Sequence, residues 1–167
     1  MKTHKLIKII SLSILVILIG ITIISAIVFE KRGRSDLRVE TLCDKYQLNL
    51  YDLQPGQISK VQGFFKHPYY EITQTVDDYY IILRINGDET DVTDKNICDT
   101  KTLSLPAGDV ILTRVNVASE GAEMFTYFHL ENQTASYDGF LVKPQDEEKT
   151  FHDENYAQVS NILSSIF

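Results

Sequence analysis

Charge is missing from one long stretch of this chain, cysteine is scarce, and the common catalytic signatures are absent. No P-loop, G-x-S-x-G, H-E-x-x-H or dinucleotide-binding glycine pattern occurs in the 167 residues, which removes the usual sequence grounds for an enzyme. Two cysteines, Cys43 and Cys98, lie 55 positions apart without CxxC spacing. They are too few for a thiolate metal centre, and His67, His129 and His152 have no ligand spacing around them. The acidic group Asp88, Glu89, Asp91 and Asp94 lacks the glycine and the closing glutamate that an EF-hand loop requires, because Gly87 precedes the acids. No metal, cofactor or catalytic residue is expected. Internal repeats and low-complexity segments are also lacking.

The uncharged stretch runs from Ile9 to Phe29, 21 residues. As a helix rising about 1.5 Å per residue it spans roughly 30 Å, the depth of a bilayer core. A cleaved secretory signal has a shorter apolar core, about 7 to 15 residues, and then a small-x-small site. Here Ser25 and Ala26 lie inside the apolar run, flanked by Ile24, Ile27 and Val28, so a retained anchor is expected. Lys2, Lys5 and Lys8 precede the span, and Lys31, Arg32, Arg34 and Arg38 follow it. Charge counting alone leaves orientation undecided. The eight-residue stub is too short to fold, which favours an N-terminus inside and an exported remainder. The layout is a cytoplasmic stub (1–8), a transmembrane helix (9–29), a juxtamembrane linker (30–38) and one exported, periplasmic domain (39–167) on a bacterial inner membrane.

From Val39 to Phe167 there are 21 acidic and 9 basic residues, a net charge near −12. Such a surface repels phosphate, so direct nucleic-acid binding is not expected. In an oxidising compartment Cys43 and Cys98 are expected to pair as one disulfide; the alternative is two small core residues.

Helical spacing appears first: Val39, Leu42, Cys43 and Tyr46 recur at i, i+3, i+4 and i+7, with Ser35 or Asp36 as a cap. Pro55 and Gly56 break the pattern. Alternation then takes over. "YEITQTV" and "YYIILRIN" read as a hairpin turning at Asp77-Asp78, with Tyr70, Ile72 and Val76 on one parity and Tyr79, Ile81, Leu83 and Ile85 on another. "VILTRVNV" places Ile111, Val115 and Val117 on one face. "MFTYFHLEN" and "YDGFLVKP" read as further strands, Gly139 as a bulge and Pro144 as the end of the sheet. Thr150 to Asp153 has the form of a capping box ahead of an amphipathic helix carrying Tyr156, Val159, Leu163 and Ile166. The fold expected is α+β and mostly β. Beyond the anchor it is an antiparallel sheet of six to eight strands, or a small lipocalin-like barrel, flanked by N- and C-terminal helices.

Nine tyrosines and eight phenylalanines stand out against the absence of tryptophan. Many occur as adjacent pairs on strands, such as Phe64-Phe65, Tyr69-Tyr70, Tyr79-Tyr80 and Tyr127-Phe128. Neighbouring strand positions point to opposite faces, so these aromatics cannot all share one core. Either a partner covers the second face, or the sheet encloses a ligand-sized cavity, or some tyrosines are simply exposed. His67, His129 and His152 are the histidines of the expected exported domain, able to change charge between about pH 5 and 8, and so are candidate pH sensors.

A lysine-rich stub, one uncleaved span ("MKTHKLIKIISLSILVILIG"), and an acidic strand-rich domain carrying Cys43, Cys98 and "MFTYFHLEN" together resemble the small companion proteins of membrane-bound transcription regulators. These are the ToxS-like, TcpH-like and PsaF/MyfF-like proteins. The likeness is one of layout and transfers no site residues. It implies an accessory protein, not an enzyme, that binds and stabilises the periplasmic domain of a partner regulator and modulates it. In some of those families the pair forms a barrel admitting a bile-salt-like ligand, which implies a small amphipathic ligand here. The alternative is a bitopic structural subunit of a secretion or surface-fibre assembly.

Overall fold

The computed structural model describes residues 30–34, 38–50, 57–63, 67–87, 92, 97–116 and 124–167. The expected span Ile9–Phe29, the acidic loop residues Asp88, Glu89, Asp91 and Asp94, Phe64-Phe65 and Val117 lie outside the described residues. No helix among the described residues is long and apolar enough to cross a membrane.

Among the described residues eight strands form one antiparallel sheet: β1 (Glu30–Arg34), β2 (Ile58–Gly63), β3 (Tyr69–Val76), β4 (Tyr79–Ile85), β5 (Ile97–Leu105), β6 (Gly108–Asn116), β7 (Met124–Glu131) and β8 (Ser136–Val142). Among the described residues two helices, α1 (Val39–Tyr46) and α2 (Asp153–Ile166), complete it. The strand order is β1-β2-β3-β4-β8-β7-β6-β5. Two four-stranded meanders therefore meet where β4 pairs with β8, and the chain crosses from the centre of the sheet to the far edge between β4 and β5. Among the described residues no ladder joins β1 to β5, so the described sheet has two edges. The mostly β, α+β expectation is met.

Alternation decides which face is covered. Tyr79, Ile81, Leu83 and Ile85 of β4 share a face with Ile72 of β3, Tyr137 and Leu141 of β8, Phe128 and Leu130 of β7, and Val110 and Leu112 of β6. All are buried. Leu42 and Tyr46 of α1 and Val159, Ile162, Leu163 and Ile166 of α2 close over them as one core. Burying each such Leu or Ile is worth roughly 1.5–3 kcal/mol, and this term drives the helices onto the sheet. The Tyr137 hydroxyl donates to the Tyr46 carbonyl at 2.8 Å, and the Asn49 N–H donates to the Ile166 carbonyl at 2.8 Å, which ties α1 to β8 and to the end of α2.

The β3–β4 hairpin turns at Asp77-Asp78 as expected, with Asp77 at φ 50°, a left-handed conformation that aspartate tolerates. Gly108, at φ 138°, makes the equivalent reversal into β6.

Several expectations need correction. Glu30–Arg34, read as linker, is the edge strand β1 paired to β2. Arg38 and His152 occupy the N-cap positions without a side-chain hydrogen bond, so Thr150–Asp153 forms no capping box, while the expected cap Ser35 or Asp36 lies outside the described residues. Gly139 is not a bulge, since β8 runs in unbroken register with β4 and β7. A Cβ there would strike the Ile82 carbonyl and come within 2.8 Å of the Phe128 ring, so glycine serves close approach. In β6 the parity holding Ile111 and Val115 is opposite the helices, and Val110, Leu112 and Arg114 face the core. Arg114 hides this pattern from sequence because a charge stands at a core position.

That arginine is only 2% exposed. Its Nη1 donates to Thr126 Oγ1 at 2.9 Å, its Nη2 to Asp146 Oδ2 at 2.9 Å, and its Nε to the Glu148 carbonyl at 3.1 Å. A charge this deep persists only when its donors are met. Here they hold the segment between β8 and α2 against the sheet. The edge strand adds to this: Asp99 Oδ2 accepts from the Phe151 N–H at 2.8 Å, and Lys101 Nζ donates to the Phe151 carbonyl at 3.1 Å.

Candidate functional site

Both described helices lie on one face of the sheet; the other face is the candidate site. Register aligns its side chains into rows that cross the strands. One row is apolar: Tyr80 of β4, Val142 of β8, Phe125 of β7, Val115 of β6 and Ile97 of β5. Tyr80 is 44% exposed and Ile97 40%, at the two ends of this belt. Behind it, Phe140 packs between Phe125 and Tyr127, with ring centroids 6.2 Å and 5.5 Å away, in the tilted and edge-on geometry that aromatic quadrupoles favour.

Four residues from the belt along each strand the chemistry changes. Glu71, Arg84, Asp138 and His129 stand side by side on β3, β4, β8 and β7. Arg84 Nε donates to Glu71 Oε2 at 3.2 Å, with the Glu71 side chain only 4% exposed. Asp138 is fully buried, and His129, directly opposite it, is partly buried. Ile111, 46% exposed, continues the row on β6. Beyond it Glu131 and Asp109 are exposed, Asp109 accepting from the Ser104 hydroxyl at 2.8 Å. The face is thus apolar at one end and acidic at the other.

Of the three histidines singled out by sequence, only His129 belongs to this face. His67 is exposed ahead of β3. His152 is exposed at the N-cap of α2, next to Phe151, which bonds to Asp99 on the helix-covered side. The three do not form a cluster.

The disulfide is not formed: Cys43 and Cys98 are not bonded to each other. Cys43 sits on α1, whose Tyr46 rests over Tyr70 of β3 and Tyr137 of β8, whereas Cys98 is exposed on the edge strand β5. Three strand spacings of about 4.8 Å and several residues at about 3.3 Å separate those regions. Bridged Cα atoms lie within about 7 Å. Burial pushes the Cys43 thiol up, which keeps it protonated and unreactive.

A pocket of about 390 Å³ opens on the other side of the molecule, between the β8–α2 segment and α2, lined by Lys143, Asp146, Glu148, His152, Glu154 and Gln158 among others. Asp146 is occupied by Arg114 and the Glu148 carboxylate by Asn155 Nδ2 at 2.9 Å. No group of His, Cys, Asp and Glu among the described residues is arranged to hold a metal ion.

Sequence reading missed Glu71, Arg84 and Asp138. The available signal was parity: once Tyr79, Ile81, Leu83 and Ile85 define the core side of β4, Tyr80, Ile82 and Arg84 must point the other way. The "DG" of "YDGF" hid Asp138, because Asp-Gly reads as a turn or bulge. No family model matches the chain, and neither a curated protein nor a solved structure matches it.

Proposed function

We propose that this chain is a membrane-anchored accessory protein that binds and stabilises the exported domain of a partner membrane-bound regulator through the second face of its sheet. The observation that carries this reading is the belt from Tyr80 to Ile97, whose end side chains Tyr80 and Ile97 are exposed and whose Val142 and Phe125 are partly exposed, with Val115 buried between them, on a sheet face that neither described helix covers. Exposed apolar area of this kind is costly in water and is relieved by a partner. A partner that binds only the folded form also protects it by mass action. The anchor over Ile9–Phe29, with the N-terminus inside, would hold both proteins in one membrane. The sheet edges β1 and β5 are where partner strands would extend it toward a closed barrel. His67, His129 and His152 remain candidate pH sensors in this reading, and the apolar end of the face a candidate seat for a small amphipathic ligand.

Deleting the protein tests the proposal. A membrane regulator encoded beside it should lose at least half of its lifetime in pulse-chase labelling. If every membrane protein encoded nearby keeps its normal half-life, the proposal fails.

The nine-residue strand β5, which forms an edge of the sheet among the described residues, favours a second reading, a bitopic structural subunit that adds strands to neighbours in a secretion or surface-fibre assembly. Sedimentation of solubilised membranes separates the two. A stoichiometric pair supports the accessory role, and a large homogeneous particle supports the structural one.

A further inference from the structure

We propose that the outer edge of β5 is a docking edge for a second copy of this chain, and that the segment from Phe151 to Tyr156 holds it shut. The guard stands apart from the accessory reading above, because it acts at an edge of the sheet and not on its second face. Among the described residues β5 ends the sheet. In an antiparallel ladder the N–H and C=O of one residue point to the same side, and successive residues alternate, so every second residue of β5 turns its backbone groups away from β6. Two such groups are taken by side chains. The Thr100 N–H donates to Asp99 Oδ1 at 2.8 Å, and the Thr102 carbonyl accepts from the Tyr156 hydroxyl at 3.3 Å. Thr100 and Thr102 share one parity, and both are exposed.

The same side chains are fastened to the segment that leads into α2. Asp99 Oδ2 accepts from the Phe151 N–H at 2.8 Å, Lys101 Nζ donates to the Phe151 carbonyl at 3.1 Å, and that ammonium stands 4.7 Å from the centre of the Tyr156 ring. Phe151, only 6% exposed, meets Tyr156 edge to face with ring centroids 6.0 Å apart. An added strand would lie about 4.8 Å outside β5 and would need the Thr100 N–H and the Thr102 carbonyl for its own ladder. Guard and added strand therefore exclude one another.

Charge selects the strand that fits. In a domain with 21 acidic and 9 basic residues, β5 carries one acid, Asp99, and one base, Lys101. Two copies paired antiparallel about Thr100 set Asp99 of each opposite Lys101 of the other, whereas pairing about Lys101 sets lysine against lysine. The two favourable pairs use the side chains that the guard releases.

The test follows the full chain in uncharged detergent micelles by sedimentation velocity and by amide hydrogen exchange. Tyr156→Phe removes only the hydroxyl and should tighten self-association at least threefold over the wild type. Tyr156→Ala, which also uncovers Lys101, should tighten it at least tenfold. In the associated form the Thr102 amide should exchange at least tenfold more slowly than in the monomer. Adding Asp99→Lys to Tyr156→Ala should abolish the gain, and adding Lys101→Asp as well should restore it. Self-association of Tyr156→Phe equal to that of the wild type, association that leaves Thr102 exchange unchanged, a gain that survives Asp99→Lys, or a charge swap that restores nothing would each overturn the proposal. Should Tyr156→Ala fail to fold, the threefold change in Tyr156→Phe and the Thr102 exchange decide by themselves. The half-life of a neighbouring regulator enters none of these results, so failure here is distinguishable from failure of the accessory role.

Discussion

Arg114 donates to Asp146 across 2.9 Å at a place where their side chains are 2% and 6% exposed. The pair joins β6 to the segment that carries the chain from β8 into α2, and the Asp146 carbonyl also accepts from the N–H of Met124 at the start of β7 at 2.9 Å. One buried cation therefore holds the C-terminal helix's approach to the sheet.

Removing one partner leaves the other charged and buried. Arg114→Ala should destabilise the fold by about 3–5 kcal/mol in urea titrations, and Asp146→Ala by a similar amount. Replacing both, Arg114→Met with Asp146→Leu, should cost clearly less than the two single changes added together. Strict additivity would show that the pair is not coupled.

Gly139 gives a second stability prediction. Because a Cβ would collide with the Ile82 carbonyl and the Phe128 ring, Gly139→Ala should destabilise by about 3 kcal/mol or more, the upper range for overpacking. Gly33, with nothing near its Cβ position, is the control: Gly33→Ala should shift the urea midpoint little.

Alkaline pH should unfold the domain through its buried phenols. Burial raises the pKa of Tyr79, with Asp146 adding to it, and burial likewise raises that of Tyr137. The folded state therefore holds these protons more tightly than the unfolded chain. Their contribution is fully present below about pH 10 and is lost as pH rises through the raised values. Tyr79→Phe with Tyr137→Phe should flatten the loss of stability above about pH 10. At neutral pH Tyr137→Phe should cost about 1 kcal/mol for the bond to Tyr46. An unchanged alkaline limb would contradict the assignment.

Thiol chemistry separates the two cysteines. Iodoacetamide should modify exposed Cys98 well before Cys43, whose thiol burial keeps protonated. The native protein should yield two free thiols, and a monomer without free thiol would contradict the structure.

Sequence made the β3–β4 hairpin legible because both strands alternate cleanly and the turn between them is short. It made α1 and α2 legible because their apolar residues recur at helical spacing. It failed where a residue's role depends on a distant partner. Arg114 looks like a surface charge until Thr126, Asp146 and Glu148 surround it. β5 was not singled out, because its alternation mixes Asp99, Lys101, Leu103 and Leu105 on one side, polar residues whose ends are taken by Phe151 and whose stems cover the core edge. The cysteines were paired by compartment chemistry, but sheet order sets them apart. The second face was foreseen only as a consequence of aromatic pairs; its acidic row required the β4–β8 register, which joins strands more than fifty residues apart.

The second face as a docking surface is the centre of this account, and the half-life of the neighbouring regulator in a strain carrying Tyr80→Ser with Ile97→Ser tests it most directly. Both side chains are more than a third exposed, so the variant should fold and accumulate normally. The account predicts that the regulator's half-life falls to within twofold of that in the deletion strain. A wild-type half-life beside a folded variant, in a strain background where deletion does shorten it, would contradict the account.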